Sequence, residues 1–373
     1  MGALSAAAPI PPALRTFVAP TRYVQGPGAL DKVGNLVALR RSRAYLLVDM
    51  QLADTIGVRL AASLNEAGVA TLMKSVDGEV TWSNIDTLTK HARSHSPDVI
   101  VAAGGGKVLD QGKGIARTLD VPIVTVPTIA SNDGPTSRVI ALYDEQHQLV
   151  DTPHMQANPE LVVVDTTVIA AAPIRFLLSG IGDALAKKFE AEACARAAGL
   201  NSHRQRALAL PAFIADGCFD ELVTHGADAV SGSPDAVERV VEACVLMSGM
   251  AFENGGLSMA HAMTRGLMAC PGSDAHLHGF HVAYGLLVQL AHEDHASYAA
   301  VRQYVAAIGL PCSLTQLDTE PSDANRRVLA QSVLDSPHRA NCDPYPSLAS
   351  LMVAIDKVEV DASTDLNANG RTA

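Results

Sequence analysis

The chain has 373 residues, of which 48% are hydrophobic and 18% are charged, and its formal net charge is −11. The hydrophobic content allows a large buried core, and the low charge content excludes a mainly disordered chain. The acidic balance, with no stripe rich in lysine and arginine, counts against a nucleic-acid-binding protein, since such proteins gain affinity by neutralising phosphates. It does not exclude an anionic nucleotide cofactor, because helix N-termini and backbone N–H groups bind phosphate locally.

The cysteines and the first residues indicate the compartment. Six cysteines are scattered along the chain with no C-x-x-C pair, which is typical of free thiols in a reducing environment. The segment M-G-A-L-S-A-A-A-P-I-P-P lacks the basic start of a signal peptide and is interrupted by prolines. No uncharged apolar run reaches the ~18 residues of a membrane span. We therefore expect a cytoplasmic protein that is not inserted in a membrane.

Strands alternate with helices in the first part of the chain, and the length predicts two domains. The segments that we interpret as strands are 22–25, 44–48, 70–75, 98–102, 123–126 and 161–164. The intervening helices are expected at 29–37, 51–67 and 80–94. Buried strands that alternate with helices are typical of a parallel sheet covered on both faces. We predict a Rossmann-like α/β domain over residues 1–170.

Three glycines, 104–106, follow one of these strands directly and open a helix. Glycine lets the backbone approach a phosphate closely, and a helix N-terminus offers N–H groups and positive dipole to an anion. Lys107 could add a charge-assisted contact, and Asp110 could orient that lysine or cap the turn. The alternative is a tight strand–helix turn without a ligand, since the string is neither G-x-G-x-x-G nor a Walker A motif.

The loop after the next strand, residues 127–143, carries several hydroxyl groups around one carboxylate. The hydroxyls belong to Thr128, Ser131, Thr136 and Ser137, and the carboxylate to Asp133. Such a loop could hydrogen-bond a cofactor or a polyol. It could equally be a polar turn that satisfies its own backbone.

The pattern from Pro173 onwards is helical, and we predict an all-α domain over residues 171–373. The predicted helices are 180–191, 202–225, 233–250, 256–269, 279–295, 297–307, 323–334 and 346–358. We expect the tail, 361–373, to be frayed.

Four histidines lie in one stretch, 253–285, as His261, His276, His278 and His281. Neutral imidazole is a common ligand of zinc and related metals, so two of them on neighbouring helices could meet at one ion. The alternative is that all four are ordinary surface or core histidines. Asp183, at what looks like the start of a helix, could be an N-cap or could point into a cleft. The residues alone do not choose between His276 and His278 as a ligand.

Five separated motifs occur in an order that resembles the glycerol dehydrogenase family, within the iron-containing (group III) alcohol dehydrogenase superfamily. They are G-G-G-K at 104–107, V-P-T-I-A-S-N-D-G-P-T-S at 126–137, S-G-I-G-D-A-L-A at 179–186, E-N-G-G-L-S-M-A-H-A at 253–262 and H-G-F-H-V-A-Y-G at 278–285. The resemblance covers nearly the whole chain. It implies the dehydroquinate-synthase-like architecture, in which an α/β dinucleotide-binding domain precedes a helical, metal-binding domain.

The resemblance also implies a catalytic metal held by Asp183, His261 and His278. Zinc is the expected ion, and iron(II), manganese or cobalt suit the same ligands. Three protein ligands leave an open position, which is typical of a catalytic site. Asp133, together with the two histidines, would bind the substrate.

For the nucleotide, the resemblance implies NAD, with Asp49 on the adenosine ribose, where a carboxylate binds the 2′-hydroxyl and repels a 2′-phosphate. Gly105, Gly106 and Lys107 would hold the pyrophosphate, with Asp110 beside them. The rest of the dinucleotide path would be lined by Thr128, Ser131, Ser137, Val139 and Tyr143.

The activity implied is hydride transfer from a secondary alcohol of glycerol, or of a similar vicinal diol, to NAD, with a hydroxyketone as product. The alternatives are a dehydrogenase of the same fold that acts on another polyol, an amino alcohol or a glycerol phosphate, or a non-catalytic nucleotide-binding protein. A homo-oligomer, from dimer to octamer, is also implied.

The chain departs from the family pattern at a few positions. Phe280 and His281 replace a charged pair that usually follows the second histidine motif, and Arg138 stands where a smaller or apolar residue is usual. These changes could alter the substrate pocket or could be adjustments of the surface. Residues 311–345 also differ from the family's usual ending.

Overall fold

A six-stranded parallel sheet forms the first half of the protein. The computed structural model describes residues 14–145 and 149–369. The strands are β1 (Tyr23–Gln25), β2 (Arg43–Asp49), β3 (Ala70–Val76), β4 (Val99–Gly104), β5 (Ile123–Pro127), β6 (Leu142–Tyr143), β7 (Leu149–Asp151) and β8 (Leu161–Val164). The main sheet has the order β1-β8-β5-β4-β2-β3, and all of its strand pairs are parallel. The parallel sheet predicted from the sequence is therefore confirmed.

Helices cover both faces of the sheet and make up the second half of the chain. They are α1 (Val33–Ala38), α2 (Val58–Glu66), α3 (Trp82–Arg93), α4 (Gly106–Leu119), α5 (Thr166–Ala170), α6 (Ile174–Arg196), α7 (Leu210–Val230), α8 (Pro234–Glu242), α9 (Ser248–Gly255), α10 (Met259–Ala269), α11 (His278–His292), α12 (Tyr298–Ala307), α13 (Asp323–Asp335) and α14 (Leu348–Asn369). Among the described residues, no helix is both long and apolar enough to cross a membrane.

The strands are buried on both faces, as expected for a sheet between two helical layers. Along β2, Leu46 and Val48 belong to one apolar cluster, whereas Tyr45 and Leu47 belong to the cluster on the opposite face. This alternation follows from the two-residue period of a strand. Because the strands are parallel, their carboxyl ends lie at one edge, where Asp49, Gly104 and Pro127 are found.

Glycines allow the helices of the second half to approach one another closely. A Cβ added at Gly279 would lie 1.7 Å from the carbonyl oxygen of Ser179, and one at Gly182 would lie 2.3 Å from that of Gly279. Helices α6 and α11 therefore touch through their backbones. This contact places the middle of α6 beside the first turn of α11.

Several sequence predictions about the helices are wrong in detail. Asp183 is not an N-cap, because α6 begins at Ile174 and carries Asp183 in its interior. Gly279 lies in the first turn of α11, where its missing side chain permits the contact with α6. The helix expected at 202–225 begins only at Leu210.

Two further differences concern short strands and the end of the chain. The hairpin β6–β7 was not predicted, because strands of two and three residues leave almost no periodic signal. The tail is helical up to Asn369, because Leu351, Ile355 and Val358 are buried at helical spacing and anchor α14 to the core. The last four residues of the predicted frayed tail, 370–373, lie outside the described residues.

Candidate functional site

A cavity of about 540 Å³ opens at the carboxyl edge of the sheet, beside β2 and α4. It is lined by Asp49, Gly78 and Lys107 among others. Asp49 ends β2, and its Oδ1 accepts a hydrogen bond of 2.9 Å from the backbone N–H of Gln51. Asp49, at the end of β2, and Lys107, next to the glycine-rich turn, are both predicted cofactor residues, and they line the same cavity.

The glycine-rich turn carries the chain from β4 into α4, with Gly105 as the N-cap of the helix. A Cβ at Gly105 would lie 2.9 Å from Ile129 Cδ1, and one at Gly106 would lie 3.3 Å from Asn132 Nδ2. The loop after β5 therefore packs directly on the two glycines. The first N–H groups of a helix have no acceptor within it, so those of α4 are available to an anion at this edge.

Lys107 and Asp110 lie on the first turns of α4 but do not contact each other. Lys107 Nζ pairs with Glu79 Oε2 at 2.8 Å. Asp110 Oδ1 accepts from Lys113 Nζ at 2.8 Å, and its Oδ2 accepts from the backbone N–H of Ala141 at 2.9 Å. The suggestion that Asp110 orients Lys107 is therefore wrong, and the carboxylate of Asp110 instead fixes the end of the loop after β5.

The loop after β5 uses part of its polar groups on itself. Ser137 Oγ accepts from the N–H of Val139 at 2.9 Å, and the carbonyl oxygen of Val139 accepts from Lys113 Nζ at 2.9 Å. The N–H of Thr128 donates to the carbonyl oxygen of Gly104 at 3.2 Å. These bonds hold the loop rigidly along the edge of the sheet.

Two further residues of the predicted nucleotide path are Ser131, within this loop, and Tyr143, at its end. The carbonyl oxygen of Ser131 accepts a hydrogen bond of 2.9 Å from Ser179 Oγ, which ties the loop to α6. Burial, together with the nearby carboxylates of Asp110 and Glu79, raises the pKa of Tyr143 to about 12. The phenol is therefore neutral at physiological pH.

Three predicted metal ligands from three helices meet on the other side of this loop. They are Asp183 in the middle of α6, His261 in α10 and His278 at the first position of α11. One ligand atom from each lies within 4.8 Å of the other two. Asp183 Oδ1 is 3.1 Å from His261 Nε2 and 3.8 Å from His278 Nε2. The contact between α6 and α11 at Gly279 brings these helices together.

The other two histidines of the 253–285 stretch are occupied elsewhere. His276 Nε2 pairs with Asp318 Oδ2 at 2.9 Å, and His281 Nε2 lies 2.8 Å from the carbonyl oxygen of Ser273. His278, and not His276, therefore lies in the cluster with Asp183 and His261.

Glu190, which the sequence analysis did not single out, contacts the nitrogen of His261 that faces away from Asp183. Its Oε2 is 2.6 Å from His261 Nδ1, and its Oε1 accepts from the backbone N–H groups of Ser258 and His261 at 2.8 and 3.0 Å. Glu190 is fully buried and follows Asp183 by two turns on the same face of α6. Metal-binding histidines usually donate their second N–H to such a carboxylate, which fixes the tautomer and raises the basicity of the ring.

Glu190 therefore leaves His261 Nε2 as the nitrogen that meets a cation. Glu190 and Asp183 favour positive charge at the ring, whereas burial and Lys187 oppose it.

Lys187 and Asp133 also lie at this site. The sequence analysis predicted Asp133 but not Lys187. Lys187 Nζ lies 2.7 Å from Asp183 Oδ1 and 3.1 Å from Asp133 Oδ2. Burial opposes the charged form, but Asp133 and Asp183 outweigh it and raise the pKa of Lys187 above its ordinary value. Burial and the neighbouring Asp183 raise the pKa of Asp133.

Asp133 is held in place from the helical half of the chain. Its Oδ2 accepts a hydrogen bond of 2.8 Å from Ser248 Oγ, the first residue of α9. A π-helical turn, Ala243–Met247, precedes that residue, and the carbonyl oxygen of Val245 in this turn accepts from Thr136 Oγ1 at 3.0 Å. Such turns are rare and often occur at functional sites. Here the turn anchors the loop that carries Asp133.

The donor set fits a divalent metal ion. One buried carboxylate and two imidazoles are typical ligands for zinc and also suit iron(II). Glu190 provides the outer carboxylate that such sites use to orient a histidine. With three protein ligands, a position would remain for a substrate oxygen.

The positions that depart from the family pattern take part in internal contacts. Arg138 Nη2 lies 2.6 Å from His203 Nδ1, and its Nε lies 3.3 Å from Glu253 Oε1. Phe280 is half-buried with its ring 6.0 Å from that of His276. None of these contacts involves the three clustered ligands.

Residues 20–166 match the iron-containing alcohol dehydrogenase family. A glycerol dehydrogenase from Pseudomonas putida is 36% identical over 85% of this chain and 89% of its own. A glycolaldehyde reductase from Halobacterium salinarum is 33% identical over 88% of this chain and 92% of its own. The crystal structure of glycerol dehydrogenase from Schizosaccharomyces pombe has a TM-score of 0.90 at 31% identity, covering 96% of this chain and 93% of that one.

The parallel sheet, the helical half and the cluster of one aspartate and two histidines define an oxidoreductase of the alcohol dehydrogenase class. The chain belongs to the iron-containing alcohol dehydrogenase family, and within it the similarity to glycerol dehydrogenases extends over most of the sequence.

Proposed function

We propose that this protein oxidises a secondary alcohol of glycerol, or of a similar vicinal diol, to the hydroxyketone with NAD as hydride acceptor. The observation that carries the proposal is the meeting of Asp183, His261 and His278 beside Asp133, at the end of a loop that begins at the nucleotide edge of the sheet. A single loop thus joins the two sites that hydride transfer requires.

The metal would be held by Asp183, His261 and His278, and we favour zinc over iron(II). A divalent ion bound there supplies Lewis-acid polarisation of the alcohol oxygen, and the nicotinamide accepts the hydride. The contribution of Glu190 is to keep His261 in the tautomer whose Nε2 is free to act as a ligand.

Asp133 is the residue that we assign to recognition of the polyol. A buried carboxylate has several acceptor positions, and only some of those of Asp133 are used by Ser248 and Lys187. The remainder suit the hydroxyl groups of a diol or the ammonium group of an amino alcohol. Because the hydrogen bond from Ser248 fixes the carboxylate, Asp133 would orient the carbinol carbon toward the nicotinamide.

The nucleotide would lie along the carboxyl edge of the sheet. Asp49 would bind the 2′-hydroxyl of the adenosine ribose and repel a 2′-phosphate, which favours NAD over NADP. Gly105, Gly106 and Lys107 would meet the pyrophosphate at the N-terminus of α4. The rest of the path would follow the loop after β5, and the residues assigned to it are Thr128, Ser131, Ser137, Val139 and Tyr143.

A glycerol phosphate is a weaker candidate, because a phosphate requires free positive charge near the reacting alcohol. Arg138 is engaged with Glu253 and His203, and Lys187 is compensated by two carboxylates. A neutral polyol needs no such charge.

The test is reduction of NAD, followed by the absorbance of NADH, with zinc-loaded protein and a panel of polyols, amino alcohols and glycerol phosphates. Asp183→Asn and His261→Ala should abolish turnover, whereas His276→Ala, which changes a histidine outside the cluster, should leave it within about twofold of the unmodified protein. The proposal fails if no diol is oxidised although zinc and NAD bind, or if both cluster variants stay active. The homo-oligomer expected from the resemblance is tested separately by light scattering on the purified protein.

A further inference from the structure

The ammonium group of Lys187 lies against two of the three predicted metal ligands, Asp183 and His261. Lys187 follows Asp183 by four residues on α6 and therefore lies one turn further along the same face. Its side chain is 1% exposed. The ammonium group is 2.7 Å from Asp183 Oδ1, 3.0 Å from His261 Nε2 and 3.1 Å from Asp133 Oδ2. A lysine ammonium has three N–H donors, so each of its hydrogens has one acceptor.

Two of these three acceptors are ligand atoms of the metal cluster. Asp183 Oδ1 and His261 Nε2 are the atoms that face the third ligand, His278. The lone pair of an imidazole nitrogen cannot accept a hydrogen bond and bind a metal ion at the same time. Lys187 and a metal ion are therefore alternative partners of His261.

We propose that Lys187 is a resident cation of this site, which stabilises the metal-free protein and must leave Asp183 and His261 when a divalent ion binds. Asp133 remains as the partner of the displaced ammonium. The proposal rests on the metal centre of the proposed function and adds to it the residue that controls metal occupancy.

The charges of the site explain why a cation is needed in both states. Asp133, Asp183 and Glu190 are buried within contact of Lys187 or His261, and uncompensated buried carboxylates are costly. Lys187 compensates part of this charge when no metal is bound. A divalent ion together with the Lys187 ammonium balances all three carboxylates, so the lysine is retained in the loaded protein rather than being dispensable.

The ring of Phe252 limits where the ammonium can move. Lys187 Nζ lies 5.6 Å from the centre of that ring. A cation is attracted to the face of an aromatic ring at such a distance. Asp133 and Phe252 thus offer a second position for the ammonium outside the three ligands.

The test measures zinc affinity directly, by competition with a chromophoric chelator, in the full-length protein and in Lys187→Met. We expect the variant to bind zinc about tenfold more tightly or better, because no ammonium has to be displaced. We also expect its metal-free form to melt at least about 5 °C lower, with the loss recovered by zinc, because two buried carboxylates lose their partner.

The matched control is Lys188→Met, since this neighbouring lysine on α6 pairs at the surface with Asp216 and Glu192. Its zinc affinity should equal that of the unmodified protein. If metal-free Lys187→Met does not fold, Lys187→Gln purified with zinc gives the same comparison through the rate of zinc removal by the chelator, which should be about tenfold slower.

The inference is overturned if the Lys187 variants bind zinc no more tightly than the unmodified protein. It is also overturned by a zinc-loaded crystal structure in which Nζ still lies within hydrogen-bonding distance of Asp183 and His261. The expected structure has Nζ on Asp133 alone. Failure of the unmodified protein to bind zinc would instead overturn the metal centre itself, so the two failures are distinguishable.

Discussion

The substitution Glu190→Gln removes one charge behind the metal cluster without changing the shape of the side chain. Glu190 Oε1 accepts from two backbone N–H groups, those of Ser258 and His261, and its Oε2 faces His261 Nδ1 at 2.6 Å. A glutamine must keep its oxygen on the two N–H groups, since its amide nitrogen cannot accept them. The amide N–H then points at His261 Nδ1 and donates to it, so the ring hydrogen moves to Nε2, which can no longer bind a metal.

The magnitude follows from this change of tautomer. Loss of an outer-shell partner typically reduces metal affinity by about 10–100-fold. Here both the charge and the tautomer are lost, so we expect a decrease in zinc affinity of about 100-fold, equivalent to about 2.8 kcal/mol at about 1.4 kcal/mol per factor of ten. Chelator competition measures the zinc affinity, and circular dichroism verifies that the helical content is retained.

The control is Glu192→Gln, which changes the same chemical group two residues later, where Glu192 forms an ion pair with Lys188 at 3.2 Å on the surface. Its zinc affinity should be unchanged. A Glu190→Gln protein that is folded and binds zinc within twofold of the unmodified protein would refute the role of Glu190 as the group that fixes the tautomer of His261.

Three further predictions concern the nucleotide site, the polyol site and the packing of the helices. Asp49→Asn should raise the KM for NAD about tenfold and shift preference toward NADP, because the carboxylate that binds the ribose and repels a 2′-phosphate is lost; steady-state kinetics with both nucleotides measure this. Ser248→Ala removes the 2.8 Å hydrogen bond to Asp133 and should raise the KM for the diol about fivefold, with the KM for NAD unchanged. Gly279→Ala would place a Cβ 1.7 Å from the carbonyl oxygen of Ser179 and should destabilise the fold by about 3 kcal/mol or more, measured by chemical denaturation.

Each of these three predictions has an outcome that contradicts it. An Asp49→Asn enzyme that keeps its preference for NAD would place the ribose elsewhere. An unchanged KM for the diol in Ser248→Ala would mean that Asp133 does not bind the substrate. For the packing prediction, the control is Gly217→Ala, whose Cβ would meet only the flexible end of Met247 at 3.0 Å. This substitution should leave the free energy of unfolding unchanged. Equal stability of the two glycine variants would be evidence against the contact between α6 and α11.

The sheet could be predicted because its strands are short apolar runs in regular alternation with helices. The expected strand at 44–48 corresponds to β2, and that at 161–164 corresponds to β8. The helix expected at 346–358 corresponds to the first part of α14, whereas the continuation of α14 through the polar residues 361–369 was not expected. A helix can start well before its most noticeable motif, which is why Asp183 was mistaken for a residue near a helix start.

The metal ligands were predicted through the motifs, whereas their surroundings were not. Lys187 and Glu190 follow Asp183 at helical spacing on α6, and this period was the available signal. Their chemistry could not be deduced from it, because a buried charge is recognisable only once its partners on α10 and on the loop after β5 are known. Asp110, which is predicted to lie beside the pyrophosphate, is bonded to Lys113 and Ala141, and neither partner could be recognised from the sequence.

The most direct test of the proposed activity is a zinc titration of the chelator-stripped protein in the presence of NAD and glycerol or whichever diol the panel identifies. We expect the initial rate of NADH formation to start near zero, to rise in proportion to added zinc and to level off at one ion per chain. Asp183→Asn should show no rise. A stripped protein that oxidises the diol at its full rate without added metal would contradict the assignment of Asp183, His261 and His278 as a catalytic metal centre.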